Sequence, residues 1–205
     1  MVALGRLLIA TRNEGKLREY QQLLADLPIP LTYLIQEGIA YDVEESGLTF
    51  IENAVHKAHE YARLSGLLTL ADDSGLEVDA LLGEPGIHSA RYAGPGATDQ
   101  DRYRLLLERL EGVPREQRSA RFRCAIAVAQ PGGETYTSEG VCEGVIAFAP
   151  RGEHGFGYDP VFLLPEQGKT MAELPPEVKN VISHRARAAQ TIAPILEEMV
   201  GRKNV

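Results

Sequence analysis

The stretch LLIATRNEGKLREY, residues 7–20, places a short apolar run, a polar turn and a helix-like segment in direct succession. The apolar residues at 7–10 are typical of a buried strand. From Leu17 onward, apolar residues recur at helical spacing as far as Leu27, and Pro28 then stops the helix. The stretch therefore predicts a strand that delivers a loop to the start of a helix.

The loop between this strand and helix has the composition of an anion-binding turn. Backbone N–H groups and the helix dipole at a helix start favour a phosphate. Thr11 and Asn13 can donate hydrogen bonds, while Gly15 permits close approach and Lys16 supplies a positive charge. It is not a Walker A loop, because that motif's first glycine and the Ser/Thr after lysine are missing. The alternative is an ordinary connection in which Asn13 caps the helix and Lys16 lies in solvent.

A second helix is predicted to begin after Thr49, with Glu52 completing a capping box, and to end at Gly66. A buried strand at 67–71 follows and is expected to end where two aspartates, Asp72 and Asp73, begin.

These aspartates lie where open α/β sheets bind ligands, at the carboxyl end of a strand. Adjacent residues point to opposite faces, so we expect one to meet a metal or water and the other to hold the loop. Glu44 and Glu45 add further acidity. Two like charges about 4 Å apart repel by about 4 kcal/mol at an effective dielectric of about 20, so acids beside a phosphate loop indicate a bridging Mg²⁺. The alternative is an Asx-turn at 73–75.

The rest of the chain predicts a mixed sheet. Residues 83–97 are rich in Gly and Pro and indicate a loop, after which Thr98 begins a third helix. Residues 122–147 are typical of a hairpin around a Pro-Gly-Gly turn, 161–164 of a strand, and the segment from about Ser183 of an amphipathic helix. Strands alternate with helices early and form hairpins late, which indicates the α/β class.

Composition narrows the possible functions. The 205 residues suit one large domain or two small lobes, and we treat 1–205 as a single two-lobed domain. A formal net charge of -8 argues against a nucleic-acid polymer as partner. We see neither a membrane span nor an export signal. Cys124 and Cys142 form no CxxC pair, so we expect free, buried thiols in a reducing cytoplasm.

A basic group lies in the segment PPEVKNVISHRARAAQ. Lys179, His184 and Arg185 flank Ser183, a candidate helix N-cap, and cations there are best tolerated where an anion sits among them. The alternative is a solvated face. Lys57, on the second helix, is a further candidate cation.

The segment FGYDPVF places Phe156, Tyr158 and Asp159 around Gly157. A turn needs glycine and aspartate but gains nothing from an exposed phenylalanine. The combination is therefore typical of a pocket that stacks a flat ring and reads its polar edge.

Together, these motifs resemble the inosine/xanthosine triphosphate pyrophosphatase family (Ham1-like, RdgB-like). The matching stretches lie in order between residues 10 and 187 and are ATRNEGK, ESGLTFIENAVHKA, LADDSGLEVDAL, PGIHSARYAG, FGYDPVF and KNVISHRARA.

The resemblance implies hydrolysis of ITP, dITP and XTP to the monophosphate and pyrophosphate with Mg²⁺. It also implies an elongated mixed β-sheet flanked by helices, two lobes with a central substrate cleft, and a homodimer. Rival readings are a Maf-like pyrophosphatase that acts on other nucleotides, and a non-catalytic nucleotide- or RNA-binding module.

The resemblance also implies site residues by matched position. The phosphate-binding loop matches Thr11, Arg12, Asn13, Glu14, Gly15 and Lys16. The metal-associated acids match Glu44 and Asp73, with Asp73 also as general base, and substrate contacts match Lys57 and Ser74. The base-recognition loop matches Phe156, Gly157, Tyr158 and Asp159, and residues that read the purine or hold the substrate match Lys179, His184 and Arg185. Arg12 departs from the glycine frequent in the family, and Glu45 is an alternative to Glu44.

Overall fold

The computed structural model describes residues 5–201 of the chain. Within this range, seven strands form one sheet in the order β2-β1-β3-β4-β5-β6-β7. The strands are β1 (Leu7–Ile9), β2 (Leu31–Tyr33), β3 (Leu68–Val78), β4 (Ser119–Ala129), β5 (Thr135–Ile146), β6 (Phe162–Leu164) and β7 (Lys169–Thr170). The helices are α1 (Glu14–Leu23), α2 (Phe50–Ser65), α3 (Asp99–Arg109), α4 (Pro176–Ile182) and α5 (His184–Gly201).

The sheet is mixed. Strand β1 runs parallel to both β2 and β3, with Leu7 opposite Leu31 on one side and Leu68 on the other. Strand β6 runs antiparallel to β5 and β7. The predicted α/β class with a parallel part and an antiparallel extension is therefore confirmed.

Most helix boundaries follow from local sequence signals. The Thr98 hydroxyl and the Asp101 carboxylate form a reciprocal capping box at the start of α3. Gly66 ends α2 in the left-handed conformation, at φ 69°, as its lack of a Cβ allows. At the start of α2, Thr49 accepts from the Glu52 N–H as expected, but the Glu52 carboxylate accepts instead from the N–H of Leu48.

The chain forms two compact units, each with its own core. The first comprises residues up to Asp73, 124–140 and 185 onward, and its core includes Leu7, Tyr20 and Ile192. The second comprises 74–123 and 141–184, and its core includes Phe162. Both cysteines are free and buried, as expected. None of the helices within residues 5–201 combines the length and the apolar character needed to cross a membrane.

The expected end of β3 at Asp72 is wrong. The strand continues through Asp72 and Asp73 to Val78, so the alternative of an Asx-turn at 73–75 is wrong as well. Leu76 and Val78 are fully buried and extend the apolar pattern beyond the acids. Two buried carboxylates can lie inside a strand because each has polar partners, and those partners come from distant parts of the chain. A smaller correction is a 3₁₀ helix at Gly86–Arg91 inside the predicted loop.

Candidate active site

The start of α1 has the Asn13 cap that the alternative of an ordinary connection predicted, and anion binding there stays a prediction. Asn13 is the N-cap, and its Oδ1 accepts a hydrogen bond from the N–H of Lys16 at 3.0 Å. The Thr11 hydroxyl accepts one from the N–H of Asn13 at 3.2 Å, which fixes the turn after β1. The helix dipole places partial positive charge at this end of α1. The turn is therefore shaped by its own side chains before any ligand binds.

Lys16 does not lie in solvent, so the alternative of an ordinary surface connection is wrong for this residue. Its side chain is only 14% exposed, and its Nζ lies 2.9 Å from the Oδ2 of Asp72. Arg185 approaches the same oxygen with its Nη2 at 3.3 Å, and its Nη1 lies 2.5 Å from the Oε2 of Glu19. Two cations from opposite ends of the chain thus share one buried carboxylate.

This sharing controls the protonation of Asp72. Burial alone would raise the pKa of Asp72, but Lys16 and Arg185 outweigh it and hold that pKa well below its usual range. Burial alone would lower the pKa of Arg185, but Glu19 and Asp72 outweigh burial and raise that pKa well above its usual value. Asp72 is therefore a fixed anion that organises two cations.

Two other residues of the predicted phosphate-binding loop, Arg12 and Glu14, contact other parts of the chain. The Arg12 Nη2 donates to the carbonyl oxygens of Ile39 and Tyr41, at 3.0 and 2.9 Å. Arg12 therefore anchors the loop that follows β2. Glu14 is 88% exposed and lies 3.7 Å from Arg18 on the outside of α1. Substrate contacts by Arg12 and Glu14 stay predictions.

Asp73 follows Asp72 directly on β3, but its hydrogen-bond partner differs from those of Asp72. Asn53 donates from its Nδ2 to the Asp73 Oδ2 at 2.9 Å. Burial raises the pKa of Asp73, and the opposing effects of Lys57 and Lys16 do not cancel this rise. A carboxylate with a raised pKa is a better proton acceptor than an ordinary aspartate. The predicted division of the two aspartates into different roles is consistent with these contacts.

Lys57 is one of the charges that act on Asp73. It is buried, at 9% exposure, so the alternative of a surface lysine is wrong. Its Nζ lies 2.5 Å from the Oε1 of Glu45. Burial opposes its charged form, but Glu45 and Asp73 outweigh burial and raise the pKa of Lys57. Glu45 therefore neutralises Lys57, whereas the neighbouring Glu44 is exposed.

The acids of this unit do not form a ready-made metal cage. Among residues 5–201, no group of three or more His, Cys, Asp or Glu side chains is arranged to hold a metal ion. Mg²⁺ is commonly held by only one or two carboxylates, with phosphate oxygens and water completing its coordination. Asp73 and Glu44 are carboxylates, the type of ligand that Mg²⁺ prefers, and binding of Mg²⁺ by these two residues stays a prediction.

In the second unit, Asp159 organises the predicted base-recognition loop. Its Oδ2 accepts from the N–H of Phe156 at 2.9 Å and forms an ion pair with Lys179. The N–H of Gly157 donates to Asp99 at 2.7 Å, and the Tyr158 hydroxyl donates to the carbonyl of Ser89 at 2.9 Å. The loop is therefore held by its own aspartate, and Phe156 is left half-buried.

The second unit also contains Lys179, His184 and Ser74. The Lys179 ammonium lies 4.8 Å from the centre of the Phe156 ring, in cation–π geometry. The His184 ring stacks on Phe122, with ring centres 4.7 Å apart. Ser74 is half-buried, on β3 directly after the first unit ends.

The alternative of a solvated basic face for Lys179, His184 and Arg185 is wrong, because all three are buried. The compensating anions are carboxylates of the chain itself: Asp159 for Lys179, and Glu19 with Asp72 for Arg185.

Three residues that hold the candidate site were not identified from the sequence. Asn53 lies four residues before Lys57 on α2, and this shared helix face was a usable signal. Glu19 and Asp99 carry no local signal, because their partners lie 166 and 58 residues away.

The chain matches the model of the Ham1 family over residues 7–195. A protein named dITP/XTP pyrophosphatase from Geobacillus kaustophilus is 55% identical over 197 residues, which cover 96% of this chain and 97% of the relative. A protein of the same name from Bacillus subtilis is 47% identical, over 96% of this chain and all of the relative.

Solved structures show the same fold. A Ham1 protein from Coxiella burnetii superposes with a TM-score of 0.85 at 45% identity, over 94% of this chain and 98% of that one. The Ham1 protein of Staphylococcus aureus gives a TM-score of 0.84 at 41% identity, over 95% and 99%. The resemblance inferred from the six motifs is therefore confirmed, and the chain belongs to the Ham1 family.

Proposed function

We propose that this chain hydrolyses the purine nucleoside triphosphates ITP, dITP and XTP to the nucleoside monophosphate and pyrophosphate. One observation carries the proposal: Asp73 on β3 is a buried carboxylate of raised pKa that feels the charges of Lys57 and of Lys16, which lies in the first turn of α1. The names of the relatives, dITP/XTP pyrophosphatases of nearly equal length, support the same substrates.

The first unit supplies the groups that bind the triphosphate. The N–H groups and dipole at the start of α1 favour its oxygens. Lys16 and Lys57 each already face a carboxylate, so a phosphate would compete with Asp72 or Glu45 for them. This pairing keeps both lysines oriented before the nucleotide arrives, which lowers the entropic cost of binding.

Asp73 acts as general base. A water oxygen attacks the α-phosphorus, the bond from that phosphorus to the oxygen bridging to the β-phosphorus breaks, and pyrophosphate leaves. The water's proton passes to the Asp73 carboxylate, and Asn53 holds that carboxylate in place through its hydrogen bond. Burial raises the pKa of Asp73, which makes its carboxylate a better proton acceptor than an ordinary aspartate.

Glu44 and Asp73 would hold a Mg²⁺, and we propose that activity depends on it. The ion would neutralise phosphate charge that these acids otherwise repel. Glu45 is the weaker candidate ligand, because it is paired with Lys57.

The second unit supplies the groups that recognise the base. Phe156 would stack on the purine, with Lys179 fixing the ring through its cation–π contact. Hypoxanthine and xanthine carry a 6-oxo acceptor where adenine has an amino donor. A buried donor such as His184 would therefore leave adenine's amino group unpaired, at a cost of roughly 1–3 kcal/mol. Arg185 belongs to the first unit; its guanidinium is also a donor, although Glu19 and Asp72 already engage it.

We further propose that the protein is a homodimer and acts in the cytoplasm, as the resemblance and the composition imply. The two-lobed arrangement with a central substrate cleft likewise stays a prediction.

The test is a pyrophosphate-release assay with ITP, dITP, XTP, ATP, GTP, UTP and dTTP, each with and without Mg²⁺. We expect release with the first three only, and only when Mg²⁺ is present. Preference for UTP or dTTP would indicate a Maf-like enzyme instead. Binding of ITP without any release would indicate a non-catalytic nucleotide-binding module.

A further inference from the structure

The backbone of the predicted base-recognition loop is hydrogen-bonded to a residue on another element of the second unit. The N–H of Gly157 donates to the Oδ2 of Asp99 at 2.7 Å, across 58 residues of chain. A hydrogen bond to a charged acceptor is roughly twice as strong as one between neutral groups. Gly157 directly follows Phe156, so this bond fixes the peptide group next to the ring that is proposed to stack on the base.

The start of α3 is capped without Asp99. This residue is the first of the helix, but Thr98 and Asp101 form the reciprocal capping box. The Asp101 Oδ2 accepts from the N–H of Thr98 at 2.9 Å and from its hydroxyl at 2.6 Å. Asp99 instead directs one oxygen to Arg102 and the other to Gly157. The two acids of this first helical turn therefore have different contacts.

Arg102 holds the Asp99 carboxylate in place. Its Nη2 donates to the Oδ1 of Asp99, and its Nη1 donates to the carbonyl oxygens of Ala90 and Ala97, at 3.0 and 2.7 Å. Both carbonyls lie in the glycine- and proline-rich segment at 83–97. The carboxylate is therefore oriented by its own helix and by the segment before it, whether or not a ligand is bound.

Two further contacts of Phe156 involve residues already assigned to the candidate site. Its N–H donates to Asp159, which belongs to the same loop, so this bond fixes the shape of the loop. Lys179 lies against its ring and pairs with Asp159 from α4. Asp99 adds an attachment to α3, which neither of these residues provides.

We propose that Asp99 is a positioning residue for base recognition. Through the N–H of Gly157, it holds Phe156 where the purine of the nucleotide stacks. This role rests on the proposed function and extends it to a residue outside the six matched motifs. Asp99 acts through the loop and not on the phosphates, so its loss should weaken nucleotide binding more than it slows the chemical step.

Steady-state kinetics with ITP test this role. Asp99→Ala removes the acceptor, and we expect KM to rise about tenfold while kcat changes by less than about twofold. Asp99→Asn keeps an oxygen that can accept from Gly157, so its KM should lie between those of wild type and Asp99→Ala.

Asp101→Ala is the matched control, because it removes an acid from the same helical turn without touching the loop. It should lower the melting temperature through the lost cap and leave KM unchanged. The ion pair of Asp99 with Arg102 is partly exposed, at 43% and 18%, and contributes little to stability. Asp99→Ala should therefore lose no more stability than the control does, although its KM rises.

A double-mutant cycle tests whether Asp99 acts through Phe156. If it does, Asp99→Ala should have little further effect on KM in a protein that already carries Phe156→Ala. Glycine-selective ¹⁵N labelling reports on the hydrogen bond itself, with the Gly157 signal assigned by its absence in Gly157→Ala. An amide proton bonded to a carboxylate resonates downfield, so Asp99→Ala should move this signal upfield, and Asp101→Ala should not.

Four outcomes would overturn the proposal. These are an unchanged KM in folded Asp99→Ala, an equal rise of KM in Asp101→Ala, fully additive effects in the double variant, and a Gly157 signal that Asp99→Ala does not move. A wild type that releases no pyrophosphate from ITP would refute the proposed function and this role together. An active wild type with an unaffected Asp99→Ala would refute this role alone.

Discussion

Replacing Asp72 with asparagine tests whether the buried charge group of the first unit stabilises the fold. The substitution keeps the size of the side chain but removes the charge that Lys16 and Arg185 share, at 2.9 and 3.3 Å. Asp72 is 2% exposed, so water cannot replace the lost charge. The variant therefore leaves two cations with one anion fewer.

The size of the expected loss in stability depends on the partners that remain for Lys16 and Arg185 in the variant. Removing one member of a buried ion pair costs about 3–5 kcal/mol. Lys16 is 14% exposed and can turn toward solvent, while Arg185 is 1% exposed but keeps Glu19 at 2.5 Å. Both facts favour the lower end of that range. We expect the free energy of unfolding to fall by about 3 kcal/mol, or the melting temperature by about 6–12 °C for a chain of this size.

The assay is equilibrium unfolding in denaturant, without added metal or nucleotide. Glu14→Gln in the same unit is the matched control, because this carboxylate is 88% exposed and 3.7 Å from Arg18. Exposed pairs contribute about 0–1 kcal/mol, so the control should stay near wild type. If Asp72→Asn loses no more stability than Glu14→Gln, the buried charge group does not stabilise the fold.

The pH dependence of the unfolding free energy of wild type and Asp72→Asn gives a second test. The folded-state pKa of Asp72 lies well below its unfolded-state pKa of about 3.9. The ionised Asp72 therefore contributes fully to the free energy of unfolding at pH values above the unfolded-state pKa. The contribution is lost as the pH falls toward the folded-state pKa. The difference in unfolding free energy between wild type and Asp72→Asn should therefore narrow below about pH 4. A constant difference would contradict this reasoning.

Three further predictions concern the candidate site and its loop. Asp73→Asn should lower the turnover number for ITP by about 100-fold or more, with an unchanged melting temperature, because the proton acceptor is lost. Phe156→Ala should raise KM for ITP more than it lowers kcat, and Phe156→Tyr, which keeps the ring, should stay near wild type in steady-state kinetics. Gly155→Ala should destabilise the protein in thermal unfolding, because Gly155 has φ +78° and an added Cβ would overlap the Asp159 carboxylate. Gly168→Ala, at φ +65° with open space around it, should cost only the backbone strain of about 1–2 kcal/mol.

Each of these has an outcome that contradicts it. Near wild-type turnover in Asp73→Asn would remove this residue from the base role. An unchanged KM in Phe156→Ala would mean that the ring does not stack on the base. Equal losses in the two glycine variants would mean that the close approach of Asp159 contributes nothing.

The sequence by itself determined the elements whose signals are local. Asn13, Thr98 and Gly66 set helix ends as predicted, because a cap or a left-handed residue acts on N–H and carbonyl groups within one turn. The order of strands and helices along the chain likewise predicted the mixed α/β sheet, because each strand and helix is signalled by its own local pattern. The alternation of side chains along a strand also predicted that Asp72 and Asp73 would differ in their surroundings.

Only the tertiary structure decided where the charges lie. The alternation of Leu76, Glu77 and Val78 is a local strand signal, but no residue near Asp72 in sequence supplies the partners that two buried acids inside β3 require. A charge is tolerated inside a protein only where a partner of opposite sign meets it. The partners here lie far away along the chain: Arg185 and Glu19 are 166 residues apart. Lys16, Lys179 and Arg185 are therefore surface-like in sequence and buried in the fold, because burial of a charge depends on pairings that no local pattern encodes.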